Sequence, residues 1–306
     1  MVSGIVFWPS FAGLAFLILG LVVVRKEFAA AQGLEKLVVL GPVFVAASLA
    51  TFGAEHFAAS SGISQIVPAW MPGHLFWTYF VGTSLLAAAL SLSLMKYVRW
   101  SAPFLAVMFF IFVLSIHLPN VIANPHDRFR WAVMLRDTTF AAGALALAGV
   151  TNQEKSPQLS KALILLGRIL FAFPLIFFGL EHFLHSNYAP GVPLPKLMPA
   201  WVPMPYLGAN LVGAVLIVAG VSLLLNKWSR LSAIFVGLAM VVLTLCLYTP
   251  ILCMDKGPAQ RIEGINYVAD TLLFGGMAIL LAMAMPRHDD TEPNTGTRTQ
   301  SPSRQA

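Results

Sequence analysis

Charge is what this chain has least of. Asp, Glu, Lys and Arg make up only 10% of its 306 residues, where a soluble domain carries roughly a quarter, so a water-soluble fold is excluded. Cysteine is scarce too, and the two present, Cys246 and Cys253, sit seven residues apart on one apolar stretch. That spacing is about 10.5 Å of helical rise, whereas bridged Cα atoms lie within roughly 7 Å. While the helix persists the two do not pair. There is no dinucleotide fingerprint and no phosphate-binding loop. The closely spaced Cys and His ligands of a structural zinc site are missing as well. Met1–Ser10 contains no basic residue, and Arg25 and Lys26 follow the first apolar run, the reverse of a secretory leader. That run therefore reads as a retained helix.

What the chain has instead is apolar length. Hydrophobic residues make up 58% and the mean hydropathy is +0.78. Runs of about 20 residues, enough to span a hydrocarbon core, fall near 5–24, 37–57, 75–95, 101–118, 131–150, 161–184, 206–225, 231–252 and 265–285. The expected fold class is an all-α membrane protein with nine transmembrane helices. A formal net charge of +6 suggests nucleic acid until its distribution is considered. Loops after odd-numbered helices, with the tail, hold Arg25, Lys26, Lys36, Lys96, Arg99, Lys155, Lys161, Lys227, Arg230, Arg287, Arg298 and Arg304. The other side holds Arg128, Arg130, Lys196, Lys256 and Arg261, and Arg136 and Arg168 lie inside helices. Basic residues stay cytoplasmic during insertion. The bias places the N-terminus outside and the C-terminus in the cytoplasm. Charges scattered through short loops form no single patch for nucleic acid.

One stretch of the first half recurs in the second. Gly53-Ala54-Glu55-His56-Phe57, followed by Pro68-Ala69-Trp70-Met71-Pro72, returns as Gly179-Leu180-Glu181-His182-Phe183 and Pro199-Ala200-Trp201-Val202-Pro203. Leu37–Phe57 aligns with Leu163–Phe183, Gly82 with Gly213, Ser91 with Ser222, and Lys96-Tyr97-Val98-Arg99 with Lys227-Trp228-Ser229-Arg230. Further on, His117-Leu118-Pro119 stands opposite Tyr248-Thr249-Pro250, and Asp137-Thr138 opposite Asp270-Thr271. Punctuation preserved over four helices points to duplication. The expected organisation is an N-terminal helix and charged turn (1–36), a first unit (37–150), a polar linker (151–160), a second unit (161–285) and a disordered cytoplasmic tail (286–306). Units with an even number of helices enter the membrane in the same orientation, related by an axis along its normal.

Ionisable groups inside a bilayer are costly and face a bundle interior, a partner or a water-filled cavity. Glu55-His56 and Glu181-His182 stand at the outer ends of the first helix of each unit, and Asp137 and Asp270 lie inside the fourth. Sharing a depth, they predict one outward-facing polar pocket per unit, with Arg136, Asn266 and Tyr267 as lining. Capping of helix ends and tying of helices are the structural alternatives. Glu181 and His185 can share a helix face, but Ala59 stands where a matching histidine would be needed in the first unit, which argues against a metal. A haem held by His56 and His182 would lie at the outer edge with one ligand from each unit, an unfavourable placement. His74 and His126 read as loop residues. Trp70 and Trp201 belong at the interface depth where tryptophan is enriched. Their proline-rich loops form a rigid rim or the mouth of a site for an amphipathic molecule such as a quinone head group.

These motifs resemble the DoxX-like family of bacterial membrane proteins. The resemblance rests on Gly53 to Phe57, Ile66-Val67-Pro68-Ala69-Trp70-Met71-Pro72, Gly82, and Trp131 through Arg136-Asp137 to Ala141-Ala142-Gly143. In the second unit it rests on Gly179 to Phe183, Met198 to Pro203, Gly213, and Asp270 to Gly275-Gly276. It covers about residues 37–285 as two parallel four-helix repeats. Two features depart from the family: Leu85 and Leu216 replace a frequent glutamate, and Ala269 replaces the basic neighbour of the aspartate. The resemblance implies a redox role beside the quinone pool, with membrane or periplasmic redox partner subunits. The expected site then comprises Glu55, His56, Asp137, Glu181, His182 and Asp270, with Trp70, Arg136 and Trp201 around a bound quinone. A proton-coupled transporter or channel and a non-catalytic membrane scaffold are the rival readings.

Overall fold

Each apolar run folds as a helix. The computed structural model describes residues 4–192 and 195–286, and among these, nine helices are long and apolar enough to cross a membrane. They are α1 (Gly4–Val23), α2 (Glu35–Ala58), α3 (His74–Leu94), α4 (Val98–Ala123), α5 (Arg128–Thr151), α6 (Pro157–Leu184), α7 (Pro205–Leu225), α8 (Ser229–Met254) and α9 (Pro258–Met283). The tail expected to be disordered lies, from 287 onward, outside the described residues.

Local chemistry sets the helix ends. Pro157, Pro205 and Pro258 open α6, α7 and α9, where the missing N–H has no intrahelical partner to lose. The N-cap of α5 is Asp127, whose carboxylate accepts the Phe129 N–H at 3.0 Å. The turns α3–α4 and α7–α8 use left-handed residues at Met95 and Tyr97 and at Asn226 and Trp228. Each turn is crossed by a serine hydroxyl, Ser91 donating to the Lys96 carbonyl and Ser222 to that of Lys227. Ser101 and Ser232 complete the two locks. Both α4 and α8 are interrupted by a π-helical turn, Val113–His117 and Thr244–Tyr248. Two residues later come Pro119 and Pro250. Proline cannot donate to the preceding turn, and a π-bulge absorbs the mismatch. These turns swing His117 and Tyr248 to new faces.

The helices form two rows. In one, α4, α5, α6 and α7 lie side by side; in the other, α3, α2, α9 and α8 do. The rows meet through α5 and α9 at the centre, α3 and α4 at one end, and α7 and α8 at the other. Exchanging the two halves of the chain leaves this pattern unchanged. The first helix of each half therefore packs on the fourth helix of the other, and α2 and α5 do not touch. One buried core runs through both halves, including Leu49, Phe140, Phe178, Leu216 and Phe274. Small residues let the backbones approach, as helix packing in lipid requires. A Cβ on Gly53 would come within 3.0 Å of the Gly82 carbonyl, and one on Gly179 within 2.8 Å of that of Gly213.

The remaining helix, α1, lies on α2 and α3. Its Gly20 leaves room for Val43, and its Gly13 sits against Ala47 and Thr51. At the aligned positions of α6 stand Ile169, Phe173 and Phe177, too large to seat a helix so closely. Among the described residues, no helix covers that side of α6 as α1 covers α2.

Candidate functional site

The central pair α5 and α9 carries the polar core. On α5, Asp137 is buried and receives the His117 Nε2–H at 2.9 Å. The π turn of α4 supplies that imidazole. Arg136 Nε lies 3.3 Å from the other oxygen of Asp137, and its Nη1 donates to Asp270 on α9 at 2.6 Å. The guanidinium stands over the Phe140 ring at 5.8 Å. One turn before Asp270 on the same helix, Asn266 donates to Glu55 of α2 at 3.2 Å. Asn266 Oδ1 and Thr271 Oγ1 are enclosed without a hydrogen-bond partner. The chain His117, Asp137, Arg136, Asp270, followed by Asn266 and Glu55, thus crosses from one half to the other.

Two buried carboxylates, Asp137 and Asp270, share one guanidinium, and the partly buried Glu55 adjoins them through Asn266. With both aspartates ionised and His117 neutral, the buried group would carry one uncompensated negative charge, before Glu55 is added beside it. Buried charges persist only when paired and hydrogen-bonded. Charge balance therefore calls for protons held within the cluster, and the imidazole and the carboxylates are the groups able to hold them.

A second cluster sits at the junction of α5 and α6. Glu181 is buried and accepts from Arg128 Nη1 at 2.7 Å, while His185 Nδ1 lies 3.2 Å from the same oxygen. Arg128 also stands over the Tyr188 ring at 4.5 Å. His182 Nδ1 donates to the Phe178 carbonyl, and its Nε2 accepts the Gly191 N–H at 2.7 Å. Both ring nitrogens are engaged, which fixes the neutral Nδ1–H tautomer and ties the α6–α7 loop to α6. Tyr248, swung by its own π turn, bonds the same loop through the Pro190 carbonyl at 2.8 Å. His56 also donates from Nδ1, to Phe52 at 2.8 Å.

The expected six residues do not line one pocket per unit. Glu55 meets Asn266 of the other half, and Glu181 meets Arg128 of the other half. The reason is the packing: α2 lies on α9 and α6 on α5, so partners come from opposite halves. Arg136 joins Asp137 to Asp270. Trp70 and Trp201 are 74% and 45% exposed, on the rim and apart from both clusters. Sequence reasoning passed over His117 and Arg128 as site residues. An ionisable side chain inside a span, two positions before a proline, was the available signal for His117.

Residues 163–249 match the DoxX family. This part of the chain is DoxX-like. Residues 45–136 match a second family, described only as a domain of unknown function (DUF8561). No curated protein and no solved structure matches the chain. The DoxX match covers α6, α7 and most of α8, and so includes Glu181 and His182 but stops short of Asp270.

Proposed function

We propose that this multi-pass DoxX-domain protein serves a redox system of the bacterial cytoplasmic membrane, exchanging protons with a quinone or similar small amphipathic molecule. The site is the Glu55, Asp137 and Asp270 cluster. The observation that carries this reading is the charge count: two buried aspartates on the single cation Arg136, with a third, partly buried carboxylate, Glu55, linked to them through Asn266. Proton storage at that depth is the chemistry a membrane-dissolved proton acceptor needs. The residues also fit such a ligand in two respects. The enclosed Asn266 Oδ1 beside Glu55 has no partner, and a polar head group could bond it. An apolar groove of about 490 Å³ runs between α1 and α2, lined by Gly4, Trp8, Ala54, Phe57 and Ala58 on either side of Glu55 in sequence. That lies within the usual volume of small-molecule sites and suits an isoprenoid tail. A bound quinone would supply two-proton, two-electron chemistry. His56, with Nε2 free of any hydrogen bond among the described residues, and Glu55 would pass protons; His117 would orient Asp137. In this reading His182 anchors a loop. We further infer that the halves arose by duplication and that the N-terminus faces outward, which puts both clusters near the outer surface.

The test is titration of the detergent-purified protein with a short-chain quinone, read by tryptophan fluorescence. Replacing Asp137 and Asp270 together by Asn should weaken binding about tenfold or more, at least 1.4 kcal/mol. Undiminished binding overturns the reading. Proton-coupled transport is the second reading, favoured by one feature: the Arg136–Asp270 pair joins the two halves, so breaking it could let them move. It requires acid-driven solute flux in proteoliposomes that Asp270→Asn abolishes, with no quinone bound.

A further inference from the structure

The two rows close into two rings of five helices. In the first ring α2, α3, α4, α5 and α9 each touch the next and α9 returns to α2; in the second, α6, α7, α8, α9 and α5 do the same. The second ring is closed by its own chain. Between Phe183 and Pro199 the sequence is five residues longer than between the aligned Phe57 and Pro68, and residues 189–192 of this loop are buried. They are held from two sides, the Gly191 N–H by His182 Nε2 on α6 and the Pro190 carbonyl by the Tyr248 hydroxyl on α8. Since α6 and α8 are not neighbours in the ring, a segment bonded to both crosses its mouth. Ala189 packs there against Leu247, Tyr248 and Tyr267.

The first ring has the same fittings and no such segment. His56 is set as His182 is: a Cβ on Gly82 would meet the His56 Cβ at 2.8 Å, and one on Gly213 the His182 Cβ at 3.0 Å. Each Nδ1 donates to the carbonyl four residues back, of Phe52 or Phe178. His117 holds the place of Tyr248. Yet no residue from 59 to 73 is buried, and His56 and His117 are only partly buried, whereas His182 and Tyr248 are fully so. With its proton on Nδ1, the neutral His56 ring offers Nε2 as an acceptor, the role that Gly191 satisfies at His182. The second group without a partner on this ring, the enclosed Asn266 Oδ1, is also an acceptor, because the amide nitrogen is spent on Glu55. Two acceptors call for a ligand that donates. A quinone has only carbonyl oxygens to offer; its reduced form has two hydroxyls.

We propose that the mouth of the first ring binds one small amphipathic molecule through hydroxyls that donate to His56 Nε2 and Asn266 Oδ1, while residues 189–192 stopper the matching mouth of the second ring. This rests on the function proposed above and deepens it: the form held is the quinol, one per chain.

The test is anaerobic calorimetric titration of the detergent-purified full chain with a ubiquinol carrying one isoprene unit, and with the matching ubiquinone. The wild-type protein should bind one quinol per chain, about tenfold tighter than the quinone. His56→Asn keeps a donor near the Nδ1 position but loses the acceptor at Nε2, so it should weaken quinol binding about tenfold and erase the preference. His56→Gln, whose amide oxygen reaches as far as Nε2, should keep most of both and shows that the fold tolerates the exchange. Deleting residues 189–193, which matches the shorter loop, should admit a second molecule. Two quinols on the wild-type protein, an unchanged preference in His56→Asn, or a deletion variant that keeps the first affinity without a second site overturns the inference. Equal affinity for the two forms, with binding still dependent on Asp137 and Asp270, overturns this inference and leaves the proposed function standing; binding of neither form overturns both.

Discussion

Removing Arg136 tests the central cluster most directly. Its guanidinium is the cation that bridges the halves, 2.6 Å from Asp270 and 3.3 Å from Asp137, with side chains only 19%, 9% and 10% exposed. Arg136→Gln leaves both aspartates without their counter-charge. Breaking a buried pair by deleting one partner costs about 3–5 kcal/mol, roughly two to four decades in the folding constant. Asp270→Asn on the Arg136→Gln background removes one stranded carboxylate, while Asp137 keeps His117. The double variant should therefore be more stable than Arg136→Gln alone, a non-additivity of about 0.5–3 kcal/mol for groups in one network. Reversible unfolding in mixed micelles, followed by tryptophan fluorescence, reads these differences. The sign with pH follows from charge: acid neutralises the stranded carboxylates, so the deficit of Arg136→Gln shrinks as the pH falls. If the losses of the two single variants simply add, or Arg136→Gln costs less than about 1 kcal/mol, the range of an exposed pair, the bridge is not holding the halves.

Three further outcomes follow. His117→Leu strips Asp137 of its 2.9 Å donor and should cost about 1–3 kcal/mol in the same unfolding assay, with most of it regained when Asp137→Asn is added; a full additive loss speaks against the pair. Gly20→Leu places a Cβ 2.7 Å from Val43 Cγ1, so it should lift α1 from α2 at a cost of about 1–3 kcal/mol, seen as raised protease access to the turn after α1, whereas unchanged protection refutes the seat described for α1. The Asp127 carboxyl is held below the usual range, first by its hydrogen bond from Arg130 and further by the Phe129 N–H. A group lowered on folding stabilises above the ordinary aspartate value of about 3.9 and loses that contribution as the pH falls through its folded value. Asp127→Ala should thus flatten the acid limb of stability and speed amide exchange at Phe129, and an acid limb identical to that of the wild type contradicts this.

Much of the architecture is legible in the chain. Length and hydropathy mark nine spans, because backbone groups in lipid must be satisfied within each helix. Pro157, Pro205, Pro258 and Asp127 mark helix starts, and the aligned Ser91 and Ser222 mark matching turns, since these effects act over a few residues. The depth of Glu55, Asp137, Glu181 and Asp270 can likewise be counted from the helix ends. Pairing cannot. The reading that joins Glu55 to Asp137 within one unit assumes that neighbours in sequence are neighbours in space, yet α2 lies on α9 and α5 on α6. His117 is placed by a π turn that rotates it off its ideal helical face, and Arg128 meets Glu181 only because two halves interleave. In water, hydropathy shows which face of a helix turns inward. In lipid the surroundings are as apolar as leucine, so an apolar face does not name its neighbour, and only packing decided that Asp137 and Asp270 share one arginine.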